Sequence, residues 1–298
     1  QGNAFATIYS KDVQKFFRRA AVVQDITNTD YFGDIANMGD TVNIIKEPSI
    51  TVSAYNRGLN LNTQELVDDQ IQLTVDQASY FQFAVDDVEQ KVAHHNWTEL
   101  AIGSAAYAPR DDYDSTVLTY MKGQAPSANI SGSDSATATS DITSTSAGLD
   151  LGYDAGEISP LRLMARAARL LDDQNVPEDN RWFVAKPDFW EIMADENSKL
   201  LDHDWSGDTD SKLRNGRVTD GLIRGFRCYK SNNMPSASSA TNLALWGHMF
   251  GTATASQIAK TEVIRSEMTF ADKVRGMHLY GRKALRTEAL GVSYYIVD

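Results

Sequence analysis

The sequence has a single cysteine, no catalytic or cofactor motif, and no long hydrophobic run. Because Cys228 stands alone, an intrachain disulfide and a thiolate metal cluster are both excluded. No apolar run approaches the roughly 20 residues that a membrane-spanning helix needs. No basic-then-apolar signal segment is found near Gln1. These absences predict a protein that is made inside the cell and has no membrane partner.

Basic residues are also scarce. Lysine and arginine number 28 against 40 aspartates and glutamates, which gives a formal net charge of −12. No strongly basic domain stands out, which argues against a nucleic-acid binder that works by neutralising phosphates. The sequence has no glycine-rich phosphate loop, no dinucleotide fingerprint and no zinc-protease helix. We therefore predict no catalytic residues and no cofactor.

Three short patterns resemble metal-binding or reactive sites, and each has a simpler interpretation. His95 and Glu99 share a helix face, but two ligands fall short of the usual three or four. The stretch 202–207 resembles the first half of a calcium loop, yet Leu213 stands where a bidentate glutamate is required. Cationic neighbours could lower the thiol pKa of Cys228, but no base lies nearby, so a buried structural cysteine is favoured. No metal site is predicted.

The clearest positive signal is an alternation of apolar and polar residues between Thr41 and Val85. Period-two alternation is typical of half-buried strands, and a turn at 56–58 would separate an outgoing from a returning run. The apolar positions are Val42, Ile44, Ile50, Val52, Ala54, Ile71, Leu73 and Val75. An isolated two-stranded ribbon is only marginally stable in water, and the remaining chain has little spare apolar surface. We therefore predict that other copies of the same chain cover this hairpin.

Helical and irregular patterns flank the hairpin. A short helix is predicted at 12–20, in a segment expected to lie as an arm on another surface. A longer helix is predicted at 86–107, because acidic residues fill its first turn and Pro109 interrupts the pattern. A second helical piece is predicted at 113–121. The Ser/Thr-rich stretch 124–147 has no periodicity, and its composition favours a surface loop or flexible hairpin over a glycosylated or adhesive stalk.

From residue 157 onward, strands and helices are mixed without a regular βαβ rhythm, so the predicted fold class is α+β. Ser159 is suited to cap a helix whose first position holds Pro160. The apolar run 182–185 predicts a buried strand, and a short helix is predicted at 187–193. Further strands are predicted at 223–229, 243–246, 277–282 and 292–297.

One charged pattern on the first of these helices points to a contact between chains. Arg162, Arg166 and Arg169 follow one another at i, i+4 and i+7 and therefore share a helix face. This spacing fits a solvated face. It also fits planar donors that pair with carboxylates of a neighbouring subunit, in a chain with excess acid.

Three stretches, in this order along the chain, resemble a known family. They are Asp76–Asp87 at the end of the hairpin, the strand and Pro-started helix at 181–193, and Ala271–Arg286 near the end. Together with an N-terminal arm, an extended hairpin, a long helix and a final strand, they resemble the major capsid proteins of tailed bacteriophages. That family has the Hong Kong 97-type fold, and the resemblance covers nearly the whole chain. Its motifs are structural rather than catalytic.

The resemblance implies five parts and a role in a shell. The parts are an N-terminal arm (1–35), an extended loop (36–85), a peripheral domain with the spine helix and the Ser/Thr-rich loop (86–149), an axial domain (150–250), and return strands that complete the axial and peripheral domains (251–298). The implied assembly is one of hexamers and pentamers in an icosahedral shell around phage double-stranded DNA. The implied partners are scaffold, portal and decoration proteins, and the implied location is the virion, after assembly in the bacterial cytoplasm.

Within such a shell, Lys46 on the shaft of the hairpin and Arg57 at its tip are predicted to pair with acidic residues of adjacent chains. No crosslinking lysine–asparagine pair can be matched here, so the predicted assembly is non-covalent. Two alternatives stay open. An encapsulin-type nanocompartment shares the fold but packs protein cargo, and an unrelated soluble α+β enzyme would need a cleft of titrating residues.

Overall fold

The structure is a computed structural model, and it describes residues 19, 21–33, 41–46, 48, 50–54, 57–58, 63–65, 69–86, 97–194, 222–235, 237, 241–267 and 269–297. Several sequence predictions lie outside these residues. They are the helix at 12–20 apart from its residue 19, the pair of His95 with the side chain of Glu99, and the calcium-like stretch 202–213.

Within the described residues the chain forms four α-helices and twelve strands. The helices are α1 (Val23–Ile26), α2 (Trp97–Gln124), α3 (Pro160–Asp173) and α4 (Pro187–Met193). The strands are β1 (Thr41–Lys46), β2 (Asp69–Thr74), β3 (Gln77–Asp86), β4 (Ile130–Ser131), β5 (Ala138–Thr139), β6 (Gly148–Asp150), β7 (Arg181–Ala185), β8 (Arg227–Lys230), β9 (Asn242–His248), β10 (Thr252–Arg265), β11 (Ala271–Ala284) and β12 (Leu290–Ile296).

A seven-stranded mixed sheet forms the larger body, with the strand order β5-β6-β12-β9-β7-β8 and with β4 also paired to β12. The strand β7, which lies next to the edge strand β8, is buried on both faces. Trp182 and Val184 pack into the cluster that contains α2, whereas Phe183 and Ala185 pack into the cluster under α3 and α4. A strand that is covered on both faces has a continuous run of apolar residues. The buried strand predicted at 182–185 is therefore confirmed.

The helix α3 begins where the sequence predicted. The Ser159 hydroxyl accepts a hydrogen bond from the Arg162 amide at 3.4 Å, and Pro160 occupies the first helical position. The same amide also donates to the Ser159 carbonyl at 2.9 Å. Ser favours a helix start because its hydroxyl offers an acceptor to first-turn amides, and Pro favours it because it has no amide to satisfy. The buried side of α3 includes Leu163, Met164 and Leu171, which pack on the large sheet.

A second, three-stranded sheet has the order β10-β11-β3 and is antiparallel throughout. β3 pairs with β11 along its whole length, from Gln77 opposite Tyr280 to Asp86 opposite Ala271. Two sequence predictions are therefore corrected. Residues 77–85 belong to this sheet rather than to the extended hairpin, and Asp86 ends a strand rather than starting a helix.

The long helix α2 replaces the two helical pieces that were predicted. Pro109 lies inside it and does not break it. A proline in a helix interior costs about 3 kcal/mol, because it removes a backbone hydrogen bond and crowds the preceding turn. The following turns bury Tyr113, Val117, Leu118 and Met121 against the large sheet. Burial of this face offsets the cost of the proline.

The Ser/Thr-rich stretch is more ordered than its composition predicted. It supplies β4 and β5, which pair in parallel with β12 and β6 at one side of the large sheet. The Asn129 amide donates to the carbonyls of Glu288 and Leu290 at 2.8 and 2.9 Å. The expectation of a surface loop is therefore wrong for the strands, although many side chains between them are exposed.

Candidate inter-subunit surfaces

The ribbon β1–β2 is the hairpin that the alternation predicted, and its root is covered by its own chain. β1 and β2 pair antiparallel from Thr41 opposite Thr74 to Lys46 opposite Asp69. Leu73 and Val75 are buried against Ala253, Ala255 and Leu279 of the three-stranded sheet. The prediction that other copies cover the hairpin is therefore wrong at this end.

Beyond its root the ribbon exposes apolar side chains. Ile45 on β1 is 72% exposed, and the segment 50–54, which belongs to no helix or strand, exposes Ile50 at 73% and Val52 at 93%. Gly58 in the following turn has a φ of +94°, a conformation that glycine adopts without strain. Exposed apolar side chains are ordinary when they occur singly, but three on one arm are typical of a surface that binds another apolar surface.

The two basic residues predicted on the arm are both solvent-exposed. Arg57 lies in the turn at 57–58, and Lys46 ends β1 directly across from Asp69 of the same chain. This register gives Lys46 an acidic neighbour on its own ribbon. Pairing of either residue with another subunit stays a prediction.

The arginine face of α3 has acidic neighbours within the chain. The guanidinium of Arg169 lies 3.4 Å from the carboxylate of Asp173, one helical turn further on. Hydrogen bonds from Thr143 lower the pKa of Asp141, and the charges of Arg166 and Arg162 lower it further. The three arginines are thus held near carboxylates of their own subunit, and a contact across subunits stays a prediction.

A buried carboxylate that the sequence did not reveal fastens the segment before α1 to the body. Asp114 on α2 accepts hydrogen bonds from the amides of Val22 and Val23 at 2.7 and 2.9 Å, and from the Asn233 side chain at 3.0 Å. Burial raises the pKa of Asp114, while these three hydrogen bonds oppose the rise. The partners lie about a hundred residues away in sequence, so no local pattern could have identified them.

The outer face of the three-stranded sheet carries a second set of exposed apolar side chains. Tyr80 on β3 is 81% exposed and lies directly opposite Met277 on β11, which is also exposed. Further along, Phe270 and Val263 are exposed at the end of the β10–β11 hairpin. The alternation in 77–85 was the signal that could have identified Tyr80 as an outward-facing strand residue.

A groove of about 530 Å³ lies between the ribbon root and the body. Its lining includes Ile44, Val176 and Phe250 together with His248 and Glu288. The Nδ1 atom of His248 accepts the Phe250 amide at 3.1 Å, and burial lowers its pKa. A histidine that is engaged in capping a turn is poorly placed to act as a general base.

Burial raises the pKa of the Cys228 thiol to about 12, so its cationic neighbours do not activate it. No group of three or more His, Cys, Asp or Glu side chains in the described residues is arranged to hold a metal ion. Among the helices described here, none is both long and apolar enough to cross a membrane.

Comparison with known proteins gives a whole-chain likeness to phage structures. A chain from Mycobacterium phage Che8 matches with a TM-score of 0.76 and 24% identity, covering 98% of this chain and 97% of its own. The capsid structure of the cyanophage P-SCSP1u matches with a TM-score of 0.68 and 15% identity, covering 99% and 94%. The mature capsid of bacteriophage PhiM1 matches with a TM-score of 0.64 and 15% identity, covering 98% and 92%.

No protein-family model matches the chain, and no curated protein does. At these identities the likeness is one of fold. The predicted α+β, Hong Kong 97-type fold is confirmed, because the match runs over nearly the full length of both partners and includes phage capsid structures.

Proposed function

We propose that this protein is a major capsid protein, which assembles into hexamers and pentamers of an icosahedral shell around phage double-stranded DNA. The observation that carries the proposal is the full-length likeness to the capsids of P-SCSP1u and PhiM1. Because a fold can host many functions, the exposed apolar side chains of the ribbon and the three-stranded sheet provide separate support.

The proposed mechanism is the addition of many modest contacts. A subunit that touches several neighbours gains stability from each contact without needing any one of them to be strong. Such contacts combine an apolar centre with a polar rim, which is the composition of the ribbon with Ile45 and Val52 beside Lys46 and Arg57. Lys46, Arg57, Arg162, Arg166 and Arg169 are the proposed charged members of these contacts.

The net charge of −12 suits a shell that encloses DNA without binding it tightly. The proposed partners are a scaffold, a portal and decoration proteins, and no membrane. The proposed location is the virion, after assembly in the cytoplasm of the bacterial host. No enzymatic activity and no cofactor are proposed.

Electron microscopy of the purified protein tests the proposal. Closed shells with hexameric and pentameric capsomers are expected, either from the protein alone or together with the other head proteins of its phage. Discrete monomers at every concentration, ionic strength and combination of partners would contradict the proposal. Nuclease-protected DNA in native particles distinguishes a phage head from an encapsulin-type compartment, which would contain protein cargo instead.

A further inference from the structure

Three aromatic rings, those of Tyr113, His278 and Tyr280, form a cluster between α2 and the three-stranded sheet. Tyr113 of α2 lies edge-on to His278 and Tyr280 of β11, with ring centroids 5.6 and 5.2 Å apart. His278 and Tyr280 stack on each other at 5.4 Å, since residues i and i+2 of a strand share one face. Tyr113 and Tyr280 are buried, so this ring cluster packs one turn of the helix on the sheet.

The three-stranded sheet is irregular at the same point. β10 has a register shift between Ile258 and Lys260, and Ile258 lies directly opposite His278. Close to His278 on β11, Gly276 leaves no room for a side chain, because a Cβ atom there would overlap the Phe81 ring of β3. Irregular pairing of this kind raises the local twist and bends the strand. His278 therefore lies under α2 at the irregular part of the sheet.

The surroundings of His278 suit a neutral imidazole. Its Nδ1 atom is buried and has no hydrogen-bond partner within the described residues. Protonation makes both ring nitrogens donors, so it would leave a charged N–H group in the ring cluster without an acceptor. A buried charged donor that lacks a partner is costlier than a neutral acceptor that lacks one.

The groups that face His278 offset this cost only in part. Its direct neighbours across the sheet, Ile258 of β10 and Ser79 of β3, are uncharged. From α2 the charge of Asp112 acts on it, but this carboxylate is exposed and accepts a hydrogen bond from the Ser79 hydroxyl at 2.6 Å. The ring face of Tyr280 attracts a cation weakly. Burial outweighs the charge of Asp112 and lowers the pKa of His278 from its ordinary value of 6.5.

We infer that His278 is a pH-sensitive contact between α2 and the three-stranded sheet: the neutral ring holds the helix on the sheet, and the protonated ring moves away from Tyr113 so that water reaches Nδ1. The inference concerns the single subunit and does not depend on the proposed shell. A histidine that binds its proton less tightly in the folded state contributes stability that is lost as the pH falls. The contact is therefore expected to be intact above pH 6.5 and to weaken below it.

Hydrogen exchange of the free subunit at pH 7.5 and pH 5.0 tests this inference, with rates corrected for the intrinsic effect of pH on exchange. Amides around the ring cluster, in 108–115, 77–82 and 276–281, are expected to lose protection by roughly threefold or more at the lower pH. Amides of β7 and β9 in the large sheet are expected to keep theirs, because the opening is local. Unchanged protection around the ring cluster, or an equal loss in the large sheet, would overturn the inference.

His278→Phe is the informative variant, because it keeps an aromatic ring against Tyr113 and cannot be protonated. Protection around the ring cluster should then be the same at both pH values. The matched control is His248→Asn, which removes another histidine whose pKa burial lowers. Its amide oxygen can still accept the Phe250 amide, as His248 does. The control should keep the full pH response, and a response of His278→Phe equal to that of the control would overturn the inference.

Titration of the unmutated subunit gives a readout that does not depend on the variants folding. With histidine rings labelled for NMR, the signal of His278, assigned by its loss in His278→Gln, is expected to titrate below pH 6.5. The signals of the Tyr113 and Tyr280 rings are expected to shift over the same pH range, since the ring cluster opens as His278 gains its proton. Titration of His278 at or above pH 6.5, or tyrosine signals that do not follow it, would contradict the inference.

Discussion

Asp114 shows how a single side chain can fix a long-range contact. Its carboxylate is fully buried and satisfies two backbone amides of the N-terminal segment as well as Asn233. Replacement by alanine would leave these donors without a partner inside the protein. Since an unsatisfied buried donor costs about 1–3 kcal/mol, we expect Asp114→Ala to lower the free energy of unfolding of the free subunit by roughly 3 kcal/mol in urea denaturation.

The control Asp114→Asn keeps one acceptor oxygen and the side-chain shape, and it is expected to lose less than the alanine variant. An alanine variant as stable as the unmutated protein would contradict the role of this carboxylate in holding the N-terminal segment.

The raised pKa of Asp114 has a predictable effect on stability. A carboxylate whose pKa is higher in the folded state binds its proton more tightly there. Its contribution to stability is therefore fully present below the unfolded pKa of about 3.8 and is lost as the pH rises through the folded pKa. Relative to Asp114→Asn, the unmutated subunit should become less stable between pH 4 and pH 7, in urea denaturation series at each pH. A difference that does not change with pH would contradict this.

At the scale of elements, the two faces of the ribbon have separate roles that mutation can distinguish. Leu73 is fully buried between the ribbon and its own sheet, whereas Ile45 on the paired strand is 72% exposed. Leu73→Ala removes core contacts and should lower the free energy of unfolding of the subunit by about 2–4 kcal/mol. Ile45→Ala should change it by less than about 0.5 kcal/mol and should reduce the yield of particles instead.

Urea denaturation of free subunits and particle counts by electron microscopy measure the two effects. A full yield of particles from Ile45→Ala would show that this residue lies outside the contacts between subunits.

Pro109 gives a second prediction for an element. It lies within α2, where it removes a helical hydrogen bond. Pro109→Ala should raise the thermal stability of the free subunit by up to about 3 kcal/mol at the melting temperature. Pro109→Gly restores the same amide but lacks the helix propensity of alanine, so it should gain about 1 kcal/mol less. A fall in melting temperature for Pro109→Ala would show that the proline fits a bend that the packing requires.

The elements also show which parts of the fold could be predicted from the sequence. α3 and β7 were predicted closely, because a cap, a proline and an apolar run act within a few residues. The boundary between β3 and α2 was misplaced, because acidic residues at Asp86 resemble a helix start while the strand is fixed by β11, nearly two hundred residues away. β5 was missed for a similar reason, since its pairing with β6 is a tertiary contact in a polar stretch.

The same distinction between local signals and long-range contacts applies to the candidate inter-subunit surfaces. Exposure of Arg57 and Lys46 followed from an alternation that is local in the sequence. The burial of the ribbon root and the exposure of the Tyr80 side chain depend on how the ribbon crosses the three-stranded sheet. That crossing is set by contacts of Leu73 and Val75 with strands far along the chain, and no local pattern specifies it.

At the scale of the whole molecule, charge and apolar surface would act against each other in the proposed assembly. Copies that each carry a net charge of −12 repel at low ionic strength. Salt shortens the range of this repulsion from about 30 Å at 0.01 M to about 10 Å at 0.1 M, while it leaves apolar contacts in place. If apolar contacts dominate, particle formation measured by light scattering should accelerate at least tenfold over this range.

Arg57→Glu distinguishes a specific ion pair at the arm tip from this general repulsion. The matched control is Arg110→Glu, which makes the same change of charge at an exposed position of α2. If Arg57 meets a carboxylate of a neighbour, its variant should assemble several-fold more slowly than the control at low salt. The two should converge as salt is added, because exposed ion pairs are screened. Equal rates at low salt would assign the function of the arm to its apolar residues alone.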